Sequence, residues 1–138
     1  MLLIIASASA QTFIGTAINL NSAEVQAGYA VKDIEITLAY KTPFCRTDIA
    51  NTLSITVGKK LWVMGSNYSI NPSIGLARYR VKDFCHHDIA GDEISISSPS
   101  PILRVELGKN YKEGLFFISF NYCRNLSMVV GMKCYFKK

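Results

Sequence analysis

Cys85-His86-His87-Asp88, with Asp92 and Glu93 close behind, brings both histidines of the chain beside a thiol and carboxylates. These are metal-ligating types. Adjacent histidines project in different directions from an extended chain, however, and the helical i, i+4 histidine spacing of zinc sites is absent. His86, His87 and Asp88 are therefore weak metal candidates in what reads as a solvated loop. The four cysteines, Cys45, Cys85, Cys123 and Cys134, include no C-x-x-C pair, which argues against a zinc ribbon or a thioredoxin-type centre. In an exported protein they permit disulfides. Cys45 and Cys85 lie in the two longest connections, on one side of the layout described below, so a bridge between them is the favoured pairing, with Cys123 a competitor at the same rim. Cys134 falls near the opposite rim as a free thiol.

A second set, Glu35, Lys60, Arg104, Glu106 and Lys133, lies in or beside segments of alternating polarity. No histidine falls in any of those segments, so the carboxylates have no evident acid–base partner, and the set reads as structural. No enzyme activity and no cofactor are assigned.

The elements that must position these charges are clearest at the C-terminal end. From Phe116, Ile118, Phe120 and Tyr122 to Leu126, Met128, Val130, Met132, Cys134 and Phe136, the even positions are greasy. The odd positions include Ser119, Asn121, Ser127, Gly131 and Lys133, with Phe117, Val129 and Tyr135 as exceptions. Two such runs joined by Cys123-Arg124-Asn125 read as a β-hairpin with one wide apolar face. Its aromatic edging and its small, polar opposite face are the arrangement of a barrel wall turned toward lipid.

The rest of the chain repeats the pattern over residues 12–20, 24–32, 34–41, 52–61, 68–81 and 102–109. Leu53, Ile55 and Val57 alternate with Ser54, Thr56 and Gly58, and Leu103, Val105 and Leu107 alternate with Arg104, Glu106 and Gly108. Pro72 suggests a bulge, after which the parity slips at Tyr79 and Val81. Ile94-Ser95-Ile96 extends a strand above the wall. With the terminal pair this makes eight strands in up-and-down order. Connections on the side of the termini are short, and the two longest, residues 44–50 and 82–101, lie on the far side. That asymmetry is typical of outer-membrane barrels.

The totals agree. The 138 residues are 49% hydrophobic and 18% charged, and no apolar run approaches the roughly 18 residues of a membrane-spanning helix. A bilayer crossing would have to use strands. The net charge of +5 comes from scattered lysines, which suit lipid phosphates better than a nucleic-acid groove. Residues 1–10, ending Ala8-Ser9-Ala10, read as a secretory signal peptide with a short apolar core and no positive leader, leaving 11–138 as a single barrel domain.

On strand number, lipid-type alternation and a last strand ending in Phe136, the chain from Thr12 to Phe136 resembles the small eight-stranded outer-membrane barrels of Gram-negative bacteria, typified by the OmpX and OmpA transmembrane domains. The implied fold is all-β, an eight-stranded antiparallel up-and-down transmembrane β-barrel. In such barrels the terminal aromatic serves as a sorting signal, whereas here Lys137 and Lys138 follow it. The His-x-Ser motif of lipid A deacylase barrels is not matched on any strand. Such a barrel is just wide enough for side chains to fill it. Inward parity then gathers Glu35, Lys60, Arg104, Glu106 and Lys133 into an ion-pair network that plugs the lumen. Tyr29, Tyr40, Trp62, Tyr68, Tyr111, Phe116 and Tyr122 fall near strand ends, as interfacial girdles do.

The implied location is the outer membrane, with membrane lipid and lipopolysaccharide as partners. A surface ligand at the outer loops is also expected, with no nucleic acid and a monomeric state. The alternative is a secreted, soluble barrel of lipocalin or avidin type carrying a small apolar ligand. It points the same residues the opposite way, with Ile118, Phe120 and Val130 inward. A β-sandwich adhesin domain also fits the alternation.

Overall fold

The computed structural model describes residues 10–44, 49–82, 94–96, 99–123 and 125–137. Alternation of bulky and small side chains produces long strands, each with one face buried and the other exposed. The first four are β1 (Ala10–Ile18), β2 (Ser22–Val31), β3 (Ile34–Pro43) and β4 (Ile49–Lys59). The short β5 (Leu61–Trp62) leads into β6 (Tyr68–Lys82), and the short β7 (Ile94–Ile96) pairs back onto it. Then come β8 (Ser100–Tyr111), β9 (Gly114–Cys123) and β10 (Asn125–Lys137).

Two of these ten strands, β5 and β7, are additions, and the other eight close a barrel. Every long strand pairs antiparallel with its neighbour in sequence, and β1 pairs with β10 from Gln11↔Lys137 to Ile18↔Val130. The wall therefore has no open edge. Turn chemistry is local. The Asn19 side-chain oxygen accepts from the Asn21 amide and the Ser22 hydroxyl, both at 2.8 Å, which folds the β1–β2 connection. Lys32 and Lys112 adopt left-handed backbone (both φ 53°) in the β2–β3 and β8–β9 turns.

The direction of the side chains separates the alternatives. Ile118, Phe120 and Val130 are 42%, 39% and 49% exposed on the outer face, while Ser119 between them is wholly buried. A carrier with an apolar cavity requires the reverse. A sandwich is excluded by closure of the single sheet. Phe117 and Val129, the exceptions to the terminal alternation, point inward and pack with Leu115 and Ala17.

Three local expectations are corrected. The strand expected at 52–61 ends at Lys59, and Leu61–Trp62 pairs separately with Ile70 and Ser69. Pro72 makes no bulge, since it stands opposite Val105 in unbroken register. On its other side the β4 ladder ends at Gly58↔Ser73 and the β5 ladder begins at Ile70, so the donor that proline lacks falls in a gap. Nor does parity slip at Tyr79, which faces inward like Ser69, Asn71 and Ala77 while Arg78 and Arg80 face out. The register irregularity of this strand pair lies farther on, where Ile49 and Asn51 meet Val81 and Arg80.

A narrow interior needs small residues where large ones cross it. A Cβ on Gly28 would lie 2.2 Å from the Phe13 ring and 2.3 Å from the Ile36 carbonyl oxygen. The carbonyl is wall backbone and has no room to retreat. Gly28→Val is expected to destabilise the barrel by about 3 kcal/mol. The check is the denaturant midpoint, read as loss of the fast-migrating form on unheated gels.

Candidate functional site

The interior is built by the inward positions of all eight long strands, and its chemistry is concentrated in two ionic clusters. The first centres on Lys133 of β10. Its ammonium lies 2.5 Å from Glu35 Oε1 on β3 and 2.8 Å from Glu106 Oε1 on β8. One cation thus ties together three strands of the wall. Lys133 is 1% exposed, and the rings of Phe13 and Phe117 flank it at 4.9 and 5.1 Å. A desolvated ammonium between ring faces gains cation–π attraction in addition to its two carboxylates.

Glu35 is the most heavily bonded group. Lys60 approaches its Oε2 at 3.4 Å, and the Tyr135 hydroxyl donates to the same oxygen at 3.0 Å. Lys60 also donates to Tyr135 Oη at 2.7 Å. The Asn71 amide and the Thr37 hydroxyl both donate to Oε1 at 3.3 Å. Two carboxylates face two ammonium groups, so the cluster balances its own charge.

The second cluster lies toward the opposite end. Arg104 of β8 donates from Nη2 to Glu24 Oε1 of β2 at 2.9 Å and from Nε to Ser119 Oγ at 2.9 Å. The Ser119 hydroxyl donates to Asn121 Oδ1 at 3.2 Å, and Gln26 Nε2 donates to Glu24 Oε1 at 2.6 Å. Arg104 and Glu106 are two apart on one strand and face the same way, yet they serve different clusters.

All five residues singled out for the interior, Glu35, Lys60, Arg104, Glu106 and Lys133, lie inside the wall, divided between these clusters. Glu24, Gln26 and Tyr135 belong with them and were not singled out. Glu24 has the inward parity opposite to Val25, and that signal was readable. Tyr135 broke the greasy/polar alternation and so seemed an exception, whereas it is a hydrogen-bonding member of the network. Cys45, Cys85, His86, His87 and Asp88 lie outside the described residues. Cys134 is an exposed thiol on the outer wall, and half-buried Cys123 accepts a hydrogen bond on its carbonyl from the Tyr79 hydroxyl at 3.3 Å.

The mouth on the side of the termini is a cavity of about 290 Å³ whose lining includes Lys32, Lys112, Trp62 and Glu113. Lys60 and Tyr135 belong to both this lining and the first cluster. Among the described residues no group of His, Cys, Asp or Glu is arranged to hold a metal ion. Neither cluster contains a histidine or thiol. What the arrangement does chemically is compensate buried charge.

Removing one partner of such a network leaves an unpaired buried charge, whereas removing opposite charges together does not. Lys133→Met is expected to destabilise the barrel by about 3–5 kcal/mol. The double change Lys133→Met with Glu106→Gln, which leaves Glu35 paired with Lys60, should recover much of that loss, as read by urea unfolding of the reconstituted protein.

No protein-family model and no curated protein matches this sequence. Solved structures do. The N-terminal β-barrel domain of Pseudomonas aeruginosa OprF superposes with a TM-score of 0.58 at 15% identity, over 94% of this chain and 97% of that one. Neisserial surface protein A (NspA) gives 0.53 at 15% identity, over 93% and 95%. A de novo designed transmembrane β-barrel gives 0.59 at 10% identity, again over 93% and 95%. At these identities the likeness is one of fold: with its closed, outward-apolar wall the chain has the fold of an eight-stranded antiparallel transmembrane β-barrel.

Proposed function

We propose that this chain is a resident of the outer membrane whose polar interior is closed, and that it acts in envelope structure or in surface interaction, including adhesion, through the connections on the side away from the termini. The observation that carries this reading is the combination of an apolar outer face with an interior whose charges are paired across the lumen. Lys133 ties β10 to β3 and β8, and Arg104 ties β8 to β2. A conducting pore needs a continuous wet path, yet Phe13, Phe117, Leu115 and Val129 are almost completely buried in the same interior. The reading is non-catalytic, since the buried carboxylates are paired with cations and neither cluster sets a histidine or thiol beside them. Membrane lipid is the partner implied by the outer face, and the working state is a monomer, because the eight long strands close on one another and leave no long edge to pair.

Two measurements test this. Fractionation should place the protein with the outer membrane, migrating faster on gels before heating than after. Vesicles containing the wild-type protein should leak small ions no faster than protein-free vesicles, whereas the double truncation Phe117→Ala with Lys133→Ala should leak measurably. Wild-type conductance would overturn the closed interior, and a cytosolic or freely secreted protein would overturn the location.

A further inference from the structure

The outward positions along β6 change character in a definite order. Ile74 and Leu76 are 62% and 53% exposed on the apolar wall, and the next two outward residues are Arg78 and Arg80, both exposed. They stand just past the end of the β8 ladder at Ala77↔Ser100, toward the side of the longer connections. Arg78 is opposite Leu53, which in turn is opposite Tyr40, so an apolar and aromatic strip runs up to it. Arg80 is opposite Asn51 and Ile96.

Neither guanidinium has an ion-pair or hydrogen-bond partner among the described residues, in contrast to Arg104, whose Nε and Nη2 are engaged inside. The opposite rim is built differently. Its outward cations are lysines, with Lys59 exposed and Lys109 held 5.4 Å over the Tyr68 ring. Arginine presents a planar fork that binds phosphate bidentately, whereas lysine is a point charge. Successive outward positions on a strand are about 6.7 Å apart, so the two forks reach one phosphate from two sides or two phosphates side by side.

We infer that Arg78 and Arg80 form a docking site for phosphorylated lipid headgroups of the leaflet on the loop side. The row Ile74, Leu76, Arg78, Arg80 passes from apolar to cationic along a single line. A phosphorylated lipid lying against the wall has the complementary order, acyl chain and then phosphate. An acidic protein partner would match the arginines but not the apolar strip below them. This inference rests on the membrane setting proposed above and names the lipid chemistry that setting supplies.

The test uses the full chain folded in zwitterionic detergent, with bisphosphorylated lipid A, its dephosphorylated form and inorganic phosphate as probes. Wild-type protein should retain lipid A phosphate through gel filtration, and the double variant R78Q/R80Q should bind it about 30-fold more weakly, from about 1 kcal/mol per lost charge. The opposite-rim pair K59Q/K109Q should bind as the wild type does, and the two other probes should not be retained. Undiminished binding by R78Q/R80Q would overturn the site. An equal loss in K59Q/K109Q would do so too, because attraction would then be diffuse, and so would retention of inorganic phosphate as tightly as lipid A. Insertion into vesicles and heat-modifiable mobility are measured on every variant. A wild type that does not insert removes the membrane reading itself, while normal insertion with undiminished lipid A binding by R78Q/R80Q removes only this inference.

Discussion

Hydrocarbon offers no hydrogen-bond partner to a backbone amide, so a sheet that crosses it must pair every strand edge with another of its own. Everything else in this molecule is arranged around that requirement. The pairing of β1 with β10 joins the ends of the chain and converts a meander into a ring. Closure with eight strands fixes the bore, and the bore fixes what fits inside. Glycine at 28 is then a matter of space, because the Phe13 ring and the Ile36 carbonyl occupy the place where a side chain would begin.

A bore this narrow, lined on alternate positions, has little room for bulk water. The charged groups that fall on inward positions must therefore satisfy one another. The two clusters do so by reaching between strands distant in sequence: Glu35 to Lys133, and Glu24 to Arg104. Buried pairs of this kind are weak sources of net stability, because desolvation offsets most of the attraction. Their consequence is positional. Each pair ties together strands that are not neighbours in the wall, and the paired groups occupy the lumen. The rings of Phe13 and Phe117 stand beside Lys133 in the same interior.

The outer surface obeys the complementary rule. Its apolar residues need only be greasy, because lipid does not select among shapes, and this explains why methionine, leucine, valine and phenylalanine alternate there without a motif. Charge reappears at the rims, as lysine beside aromatic rings at one end and as exposed arginine on β6 at the other. The two ends of the barrel thus differ in chemistry as well as in the lengths of their connections.

Much of this was legible in the residues alone. A period of two over segment after segment fixes which side chains share a face, and absence of a long apolar run leaves strands as the only means of crossing. Inward parity places Glu35, Arg104, Glu106 and Lys133 on one side of the wall, because alternation is a local property of an extended chain. What alternation does not say is which residue on a distant strand stands at the same height. That depends on the tilt and register set when β1 meets β10, and so only the tertiary structure assigned Lys133 to Glu35 and Glu106, gave Arg104 to Glu24, and showed Tyr135 to be a hydrogen-bonding member of the network. The same limit explains Tyr79. An apolar residue on a polar face seemed a slip in register, whereas the closed barrel has an interior of its own near the rim that accepts it beside Ala77 and Ile102.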